Sequence, residues 1–334
     1  MTYLMVLVGL VLLFLGGESL VRGSVSVARK LNISELVIGL TLVGFGTSVP
    51  ELVTSLRAIG QDAVGIAVGN VIGSNIANIL LVLGLAAILG PIATNPRALA
   101  RDSTVMIVVS LLLCGFVMNG SFSRLTGSVL VLLLAVYVLY SFYADQRKQS
   151  AAADMHAGEG ESVEASYGIV AGLAIAAAGL VGVVLGARLL VDGGVSIARS
   201  IGVSETVIGL TIVAVGTSLP ELATSVVAAL RGKADVAIGN VIGSNIFNIL
   251  GILGLTALVR PFMVRVTSEG EAVTGLVGIV AMTDLIAVLV SAALLIVFII
   301  SGKRIARWEG GLLLFGYSLY MGIVFNLIPV PDFI

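Results

Sequence analysis

The chain has 334 residues, of which 58% are apolar and 11% charged, and its mean hydropathy is +1.15. A soluble domain carries about 25% charged residues, so this composition excludes an ordinary water-soluble protein and predicts a polytopic membrane protein in a lipid bilayer. The net charge of −1 comes without a basic, aromatic-interleaved patch, so we expect no nucleic-acid partner. No protein partner is evident. The single Cys114 excludes an intrachain disulfide, and the single His156 excludes a histidine metal cluster.

Ten stretches along the chain are long and apolar enough to cross a membrane, which takes about 20 residues each. The first has no basic start and no cleavage site, so we expect a span and not a removed signal. We predict an all-α fold of ten transmembrane helices. They lie at about 3–28, 35–58, 64–89, 103–119, 124–143, 166–198, 205–229, 234–259, 284–301 and 309–327.

The two halves of the chain repeat one another. Residues 37–56 and 207–226 share 14 identities in 20, and residues 67–91 and 237–261 share 17 in 25, both at an offset of 170. The offset crosses five predicted spans, an odd number, so the second copy enters the membrane from the opposite side. Such inverted-topology repeats occur in many secondary transporters.

Later in the chain Asp102 and Asp284 correspond at an offset of 182, which places an insertion of about 12 residues within 262–283. No function is evident for the insertion. The predicted organisation is a first five-span repeat at 1–143, a polar cytoplasmic linker at 144–165 and a second, inverted five-span repeat at 166–334.

Orientation follows from the distribution of Lys and Arg. With the N-terminus outside, twelve of the 18 basic residues lie on the inner side and six on the outer side. This bias favours both termini outside. We expect the protein to lie in the plasma membrane. The linker carries five acidic residues and could bind a regulatory calcium ion, but a solvated tether between the halves is the favoured interpretation.

Most carboxylates lie near predicted span ends, but Glu51 and Glu221 lie well inside apolar helices. A charge there costs at least ~2.5–3.5 kcal/mol. One such acid could be a protonated structural partner. Two acids at equivalent positions of Gly-Thr-Ser-x-Pro-Glu favour a functional site instead.

The residues around each acid indicate how the charge is accommodated. Thr47 and Ser48 precede Glu51 by four and three residues, which places all three on one helix face. Pro50 cannot donate to the carbonyl of Gly46, so the helix should open there and expose backbone oxygens. The second repeat has the same arrangement in Thr217, Ser218, Pro220 and Glu221.

The following span of each repeat adds a serine and an asparagine four residues apart, Ser74 and Asn78 in the first and Ser244 and Asn248 in the second. The Gly-x-x-x-Gly pairs in these spans favour close helix packing. Four further asparagines could bind ions or satisfy the opened backbone, and the sequence leaves both open: Asn70, Asn75, Asn240 and Asn245.

Carboxylates, hydroxyls, amides and main-chain carbonyls are hard oxygen ligands, which suit Ca²⁺ or Na⁺. Two carboxylates could neutralise one Ca²⁺ or attract several monovalent ions. We expect no cofactor, only transported ions. A channel would not need paired buried acids, a scaffold would not need the duplicated acidic cavity, and an intramembrane protease would need a catalytic dyad that is absent at membrane depth, so we expect no enzyme activity.

Gly-Thr-Ser-x-Pro-Glu followed by Gly-Asn-x-Ile-Gly-Ser-Asn, present twice, resembles the alpha repeats of the cation/calcium antiporter superfamily, in particular its sodium/calcium exchanger branch. The resemblance implies antiport of Na⁺ and Ca²⁺ by alternating access, with the first and sixth spans sliding across the other eight. It implies that spans 2, 3, 7 and 8 form the ion site.

The resemblance also implies a residue for each role. Calcium would be held centrally by Glu51, Glu221 and the carbonyls of Thr47 and Thr217, with Asn78 and Asn248 completing the centre. Sodium subsites would use Ser48, Ser74, Ser218, Ser244 and the carbonyls of Gly44 and Ala214. Some members, including potassium-dependent exchangers, have Asp where this chain has Asn248, so we expect potassium-independent exchange. The family pattern also implies that more sodium charge than calcium charge moves in each cycle, so we expect exchange to be electrogenic. The alternative is a calcium/proton exchanger.

Overall fold

Helices account for most of the chain in the computed structural model, which describes residues 2–93, 96–155, 167–200, 214–267, 277–301, 304–325 and 327. The helices of the first half are α1 (Thr2–Lys30), α2 (Glu35–Ile38), α3 (Gly44–Thr47), α4 (Val49–Gly60), α5 (Val64–Ala77), α6 (Gly84–Leu89), α7 (Pro96–Asn119) and α8 (Arg124–Met155).

The second half follows the same order. Its helices are α9 (Ile169–Ser200), α10 (Ala214–Gly216), α11 (Leu219–Leu230), α12 (Ala234–Ile246), α13 (Leu253–Val259), α14 (Met282–Ser301) and α15 (Arg307–Val324). Among the described residues, three π-helical segments, in which the backbone bonds reach one residue further, connect α-helices within a span: π1 (Gly39–Val43), π2 (Asn78–Leu83) and π3 (Phe247–Ile252).

Seven helices of the described residues are long and apolar enough to cross a membrane, and an eighth if the bent pair Glu35–Thr47 and Val49–Gly60 is one span. The ten predicted spans are therefore not all reproduced by this count. The predicted span at 205–229 begins outside the described residues, which resume at Ala214. The tenth corresponds to α15, whose first turn carries Arg307 and Glu309 and whose glycines and tyrosines lower its hydropathy.

Two small sheets correct the all-α prediction. β1 (Ile92–Ala93) pairs antiparallel with β5 (Arg304–Ile305). β2 (Ser121–Phe122) pairs antiparallel with β3 (Phe262–Thr267), which pairs parallel with β4 (Val277–Ala281). Strands β3 and β4 lie in the segment predicted as an insertion. Strands of two residues have no periodicity to read from sequence, and β3 adjoins a span, so its apolar residues do not stand out.

The first part of the predicted linker is helical. Helix α8 continues through Met155, twelve residues beyond the predicted end of the fifth span. A helix thus leads out of the span into the polar segment. Residues 156–166 lie outside the described part of the chain.

The described chain forms two compact units, and each combines segments from both halves. Unit 1 comprises residues 1–47 and 135–243, and unit 2 comprises 48–134 and 244–334. Of the seven apolar spans among the described residues, α5 with π2 and α12 with π3 are the most enclosed, with 78% and 83% of their apolar windows buried, against 22–44% for the other five. The spans that carry Asn78 and Asn248 are therefore interior helices.

In unit 1, α1 and α9 pack antiparallel through glycines spaced seven residues apart. Gly9, Gly16 and Gly23 of α1 face Gly186, Gly179 and Gly172 of α9 in reverse order. A Cβ atom added at Gly179 would lie 2.3 Å from the backbone nitrogen of Leu20. The two backbones approach each other so closely that only glycine fits at these positions.

The two Gly-x-x-x-Gly pairs, which were predicted to favour close helix packing, differ in their surroundings. In unit 1, a Cβ at Gly243 would lie 2.1 Å from the carbonyl oxygen of Leu40, so Gly239 and Gly243 do permit close packing against α2 and π1. Around Gly69 and Gly73, no described atom lies within 4 Å of such a Cβ. The segment equivalent to Leu36–Leu40 is 206–210, which lies outside the described residues.

We expect Gly179→Ala to destabilise the protein by about 1–3 kcal/mol, because the added methyl group forces the α1 and α9 backbones apart. Thermal unfolding of the detergent-solubilised protein measures this as a lower melting temperature. Gly115→Ala in α7 is the matched control, since no described atom lies within 4 Å of a Cβ there. Equal melting temperatures for the two variants would contradict the close approach.

Candidate cation-binding site

The two acid-bearing helices begin at the same kind of chain break. Ser48 has φ −83° and ψ 7°, and Ser218 has φ −88° and ψ 5°, so each interrupts the helix one residue before α4 or α11 begins. Pro50 and Pro220 then occupy the first turn of these helices, where a missing N–H costs nothing. The same local sequence therefore produces the same local geometry twice.

The position of this break corrects one detail of the prediction. The helix opens at Ser48, in the turn between Gly46 and Pro50, but Thr47 ends α3 whereas Glu51 belongs to α4. Thr47, Ser48 and Glu51 thus do not share one face of a continuous helix. In the second repeat Thr217 and Ser218 form the corresponding turn between α10 and α11.

Both acids are completely buried. Glu51 and Glu221 are 0% exposed, and each lies in the first turn of its helix. The N-terminal end of a helix carries a partial positive charge that favours a nearby carboxylate. This favourable term is about 0.3–1 kcal/mol, which is smaller than the cost of burying the charge. A bound cation would supply the larger compensation.

An asparagine on the next helix holds each acid-bearing helix from the side. In unit 2, the Asn70 amide nitrogen donates to the Glu51 carbonyl oxygen at 3.1 Å and to Ser55 Oγ at 3.0 Å. In unit 1, Asn240 repeats this toward the Glu221 carbonyl oxygen at 3.2 Å and Ser225 Oγ at 2.8 Å. For Asn70 and Asn240 the structural interpretation, left open by the sequence, is therefore correct.

The interior spans of unit 2 present amide oxygens. The Asn248 amide nitrogen donates to Ser74 Oγ at 2.9 Å, and the Asn78 amide nitrogen donates to Asn245 Oδ1 at 3.1 Å. Both side chains are buried, and within the described residues neither Asn78 Oδ1 nor Asn248 Oδ1 has a hydrogen-bond partner. The donors of both amides are thus used within the protein, whereas their two acceptor oxygens are not.

Asn78 begins π2, and Asn248 is the second residue of π3. Single-turn π segments inside α-helices are frequent at functional sites, because the extra residue redirects neighbouring side chains. The segments π2 and π3 were not predicted from the sequence. Their only sequence signal is that both follow the duplicated Gly-Ser-Asn motif.

The remaining predicted ligands of unit 1 lie on α3, on α10 and in the turn before α11. Thr47 is buried, and its hydroxyl lies 3.3 Å from the Gly44 carbonyl oxygen and 3.1 Å from Asn240 Oδ1. Ser218 is 2% exposed, and its Oγ has no partner in the described part of the chain. Ala214 is the first residue described after the gap at 201–213.

The twelve predicted site residues divide equally between the units. Unit 2 contains Ser48, Glu51, Ser74, Asn78, Ser244 and Asn248, and unit 1 contains Gly44, Thr47, Ala214, Thr217, Ser218 and Glu221. Within the described residues no group of three or more His, Cys, Asp or Glu side chains could hold a metal ion. The polar atoms that do lie together are hard oxygens of amides and hydroxyls, the ligands that Na⁺ and Ca²⁺ prefer.

Sequence reasoning missed the serines that support the asparagines. Ser55 and Ser225 are fully buried, and each accepts a hydrogen bond from Asn70 or Asn240. Their signal was present, because Thr54-Ser55 recurs as Thr224-Ser225 at the offset of 170. Met106 was also missed. Its sulfur lies 3.9 Å from the Asn245 amide nitrogen.

We expect Asn240→Ala to lower the free energy of unfolding by about 1–3 kcal/mol, because it removes the two buried hydrogen bonds that Asn240 donates to the Glu221 carbonyl and to Ser225 Oγ. Thermal unfolding without added Ca²⁺ measures this loss separately from any loss of ion binding. Asn119→Ala, at an exposed position, should change little. A melting temperature equal to that of the wild type would instead indicate that Asn240 does not support the helix.

Comparison with known proteins places this geometry in a family. The family model described as sodium/calcium exchanger protein matches residues 1–143 and 171–326. CaxA of Alkalimonas amylolytica is 38% identical over 330 residues, with 96% of this chain and 98% of the relative covered. Sodium/calcium exchanger MaX1 of Methanosarcina acetivorans is 36% identical, with 97% and 99% covered.

The solved structure of the sodium-calcium exchanger NCX_Mj has a similar fold, with a TM-score of 0.79 at 34% identity. The similarity covers 98% of this chain and 99% of that one. The resemblance inferred from the duplicated motifs is confirmed, and the apolar helices are those of a membrane protein. This chain belongs to the sodium/calcium exchanger protein family.

Proposed function

We propose that this protein exchanges Na⁺ for Ca²⁺ across the membrane by alternating access. The observation that carries the proposal is the pair Glu51 and Glu221, both 0% exposed and both in the first turn of a helix that follows an identical break. Two buried carboxylates in equivalent settings are suited to binding Ca²⁺ or several Na⁺. Family membership and the likeness to NCX_Mj support this chemistry.

The proposed calcium centre consists of Glu51, Glu221 and the carbonyls of Thr47 and Thr217, completed by Asn78 and Asn248. The unpartnered amide oxygens of both asparagines support their role. The proposed sodium subsites use Ser48, Ser74, Ser218, Ser244 and the carbonyls of Gly44 and Ala214. The Gly44 carbonyl lies near the Thr47 hydroxyl, but a carbonyl oxygen has a second lone pair for an ion.

Competition for one set of oxygens would couple the two fluxes. An empty site would leave two carboxylates buried without a cation, and burying an isolated charge is expensive. The protein would therefore cross between its inward-facing and outward-facing states only when either Ca²⁺ or Na⁺ occupies the site. This requirement gives exchange and prevents a leak.

The transport is proposed to be electrogenic and independent of K⁺. Asn78 and Asn248 contribute no charge, so the site carries at most two negative charges, and one Ca²⁺ leaves it near neutral. Occupation by more than two Na⁺ would leave it positive. The two loaded states would then cross the membrane with different net charge.

We further propose ten spans in two inverted repeats, at 1–143 and 166–334, joined by the linker at 144–165. Paired strands lie on the same side of a membrane, so the chain between them crosses it an even number of times. Between β2 and β3 lie three of the apolar helices, Arg124–Gln146, Ile169–Ile197 and Ala234–Val259. Between β1 and β5 lie five. One additional span, at 205–229, makes both numbers even.

The strand pairs also support inversion of the second repeat. Ile92 pairs with Ile305, and Phe262, which is equivalent to Ile92 at the offset of 170, pairs with Phe122. Five proposed spans separate Ile92 from Phe262, so the two equivalent pairs would lie on opposite faces of the membrane. The proposed orientation has both termini outside in the plasma membrane, as the basic residues favour.

Glu51→Gln and Glu221→Gln are each expected to abolish Na⁺-driven Ca²⁺ uptake into proteoliposomes, while the protein still folds. The amide keeps the size of the side chain but removes one of the two charges that hold the ion. Asp62→Asn is the control, because Asp62 is exposed at a positive φ of 61° that Asn adopts readily. Normal uptake by either Gln variant would refute the site assignment.

Membrane potential should bias exchange by about 2.3 kcal/mol per net charge per 100 mV. Uptake of Ca²⁺ into Na⁺-loaded vesicles is expected to rise when the interior is made positive with a K⁺ gradient and valinomycin, and to fall when it is negative. A rate indifferent to the potential would contradict electrogenic exchange. An absolute K⁺ requirement, measured without valinomycin, would contradict K⁺ independence.

A cysteine introduced at Ser150 of a Cys114→Ala background should react with an impermeant maleimide only from the cytoplasmic side. Position 150 lies in the proposed inner linker. A cysteine at Ser121, an exposed residue of β2 on the proposed outer face, should react only from outside. The reverse pattern would overturn the proposed orientation.

A further inference from the structure

Two grooves lie at equivalent places of the two repeats, both within unit 2. The first, about 410 Å³, is lined by Gly115, Phe116 and Asn119 together with apolar residues of α7. The second, about 690 Å³, is lined at the equivalent positions, 182 residues later, by Val297, Phe298 and Ser301 at the end of α14. An apolar groove at the end of this span is therefore common to both copies of the repeat.

Only the second of these two grooves has charged residues and a tryptophan in its wall. Arg304, Trp308 and Glu309 line it in addition to the apolar residues. Counted from Arg124 and Arg307, the first residues of α8 and α15, which lie 183 residues apart, the equivalent positions of the first repeat hold Ser121, Leu125 and Thr126. The second copy has thus gained a cation and an amphipathic ring at the place where its span leaves the bilayer.

Trp308 is oriented for a membrane interface. Its side chain is 65% exposed, and its ring packs edge-on against Phe298 with 6.3 Å between centroids. Tryptophan is enriched where the apolar core of a bilayer meets the headgroups. Trp308 therefore marks the headgroup level, with Val297 and Phe298 on the acyl-chain side.

The acidic residue of the groove is already engaged, whereas the arginines are available. Glu309 is 5% exposed, and its carboxylate accepts from the Ala306 backbone nitrogen at 2.7 Å and from Ser301 Oγ at 3.5 Å. Arg304 and the adjacent Arg307 are exposed, and neither makes an ion pair with another described residue. The charge that the groove presents to a ligand is positive.

We propose that this groove, formed by Val297, Phe298, Ser301, Arg304, Ala306 and Trp308, binds an anionic phospholipid. Arg304 and Arg307 hold the phosphate, Trp308 packs against the glycerol region, and one acyl chain lies along Val297 and Phe298. A basic residue at a membrane surface contributes about 1 kcal/mol to binding of an anionic lipid, equivalent to about fivefold in affinity. The site is separate from the ion-binding residues and does not depend on the ions transported.

Trp308 is the only tryptophan of the chain and therefore reports on this groove directly. The full-length protein is reconstituted in phosphatidylcholine vesicles that contain increasing fractions of a lipid with brominated acyl chains, either phosphatidylglycerol or phosphatidylcholine. Bromine quenches tryptophan fluorescence on contact. We expect half-maximal quenching at a severalfold lower fraction of the anionic lipid, and a preference that falls about fivefold for Arg304→Gln and again for Arg307→Gln.

Arg124→Gln is the matched control, because Arg124 begins α8 as Arg307 begins α15 but on the opposite proposed face, and it should leave the preference unchanged. If the Gln variants do not fold, Arg304→Lys with Arg307→Lys keeps the charge and should keep the preference. Equal quenching by both lipids, or a preference that survives removal of both arginines, would overturn the proposal. Loss of the preference on adding inorganic phosphate would show a site for soluble anions and would equally overturn it.

Discussion

The structure depends on the burial of two carboxylates inside an apolar, membrane-embedded protein. Glu51 and Glu221 have no exposed surface, and the surrounding polypeptide is arranged to tolerate them. The helix break at Ser48 or Ser218 places each acid at a helix N-terminus, and Asn70 or Asn240 fixes that helix through its backbone. The proposed compensating charge is a bound Na⁺ or Ca²⁺.

The two repeats agree closely around the buried acids and differ elsewhere. The acid, the break, the supporting asparagine and its serine partner recur at one offset with nearly the same backbone angles and hydrogen bonds. The periphery diverges: the second copy has the six-residue β3 and the further strand β4 where the first has only the two-residue β1. Counted from the first residues of α15 and α8, the second copy also has Arg304 and Trp308 where the first has Ser121 and Leu125. The two copies are therefore most alike around the buried acids and least alike near the ends of their spans.

Much of the fold and of the candidate site could be predicted from the sequence, because apolar runs and a repeated motif are strong local signals. The family, the membrane location and the polar residues gathered on the interior spans follow from them. The π segments at Asn78 and Asn248 could not be predicted, since they depend on how neighbouring helices pack. The opening between Gly46 and Pro50 could be predicted, because proline has no N–H to donate to that carbonyl. That it divides the span into α3 and α4, with Pro50 in the first turn of α4, could not.

The most direct test of the central claim is Ca²⁺ uptake into proteoliposomes under one imposed gradient at a time. With Na⁺ inside, none outside and equal pH, the proposed mechanism predicts rapid uptake that stops when the Na⁺ gradient is dissipated. With a pH gradient alone and no Na⁺, it predicts no uptake above that of protein-free vesicles. Uptake driven by the pH gradient and indifferent to Na⁺ would contradict sodium/calcium exchange and establish this protein as a calcium/proton exchanger.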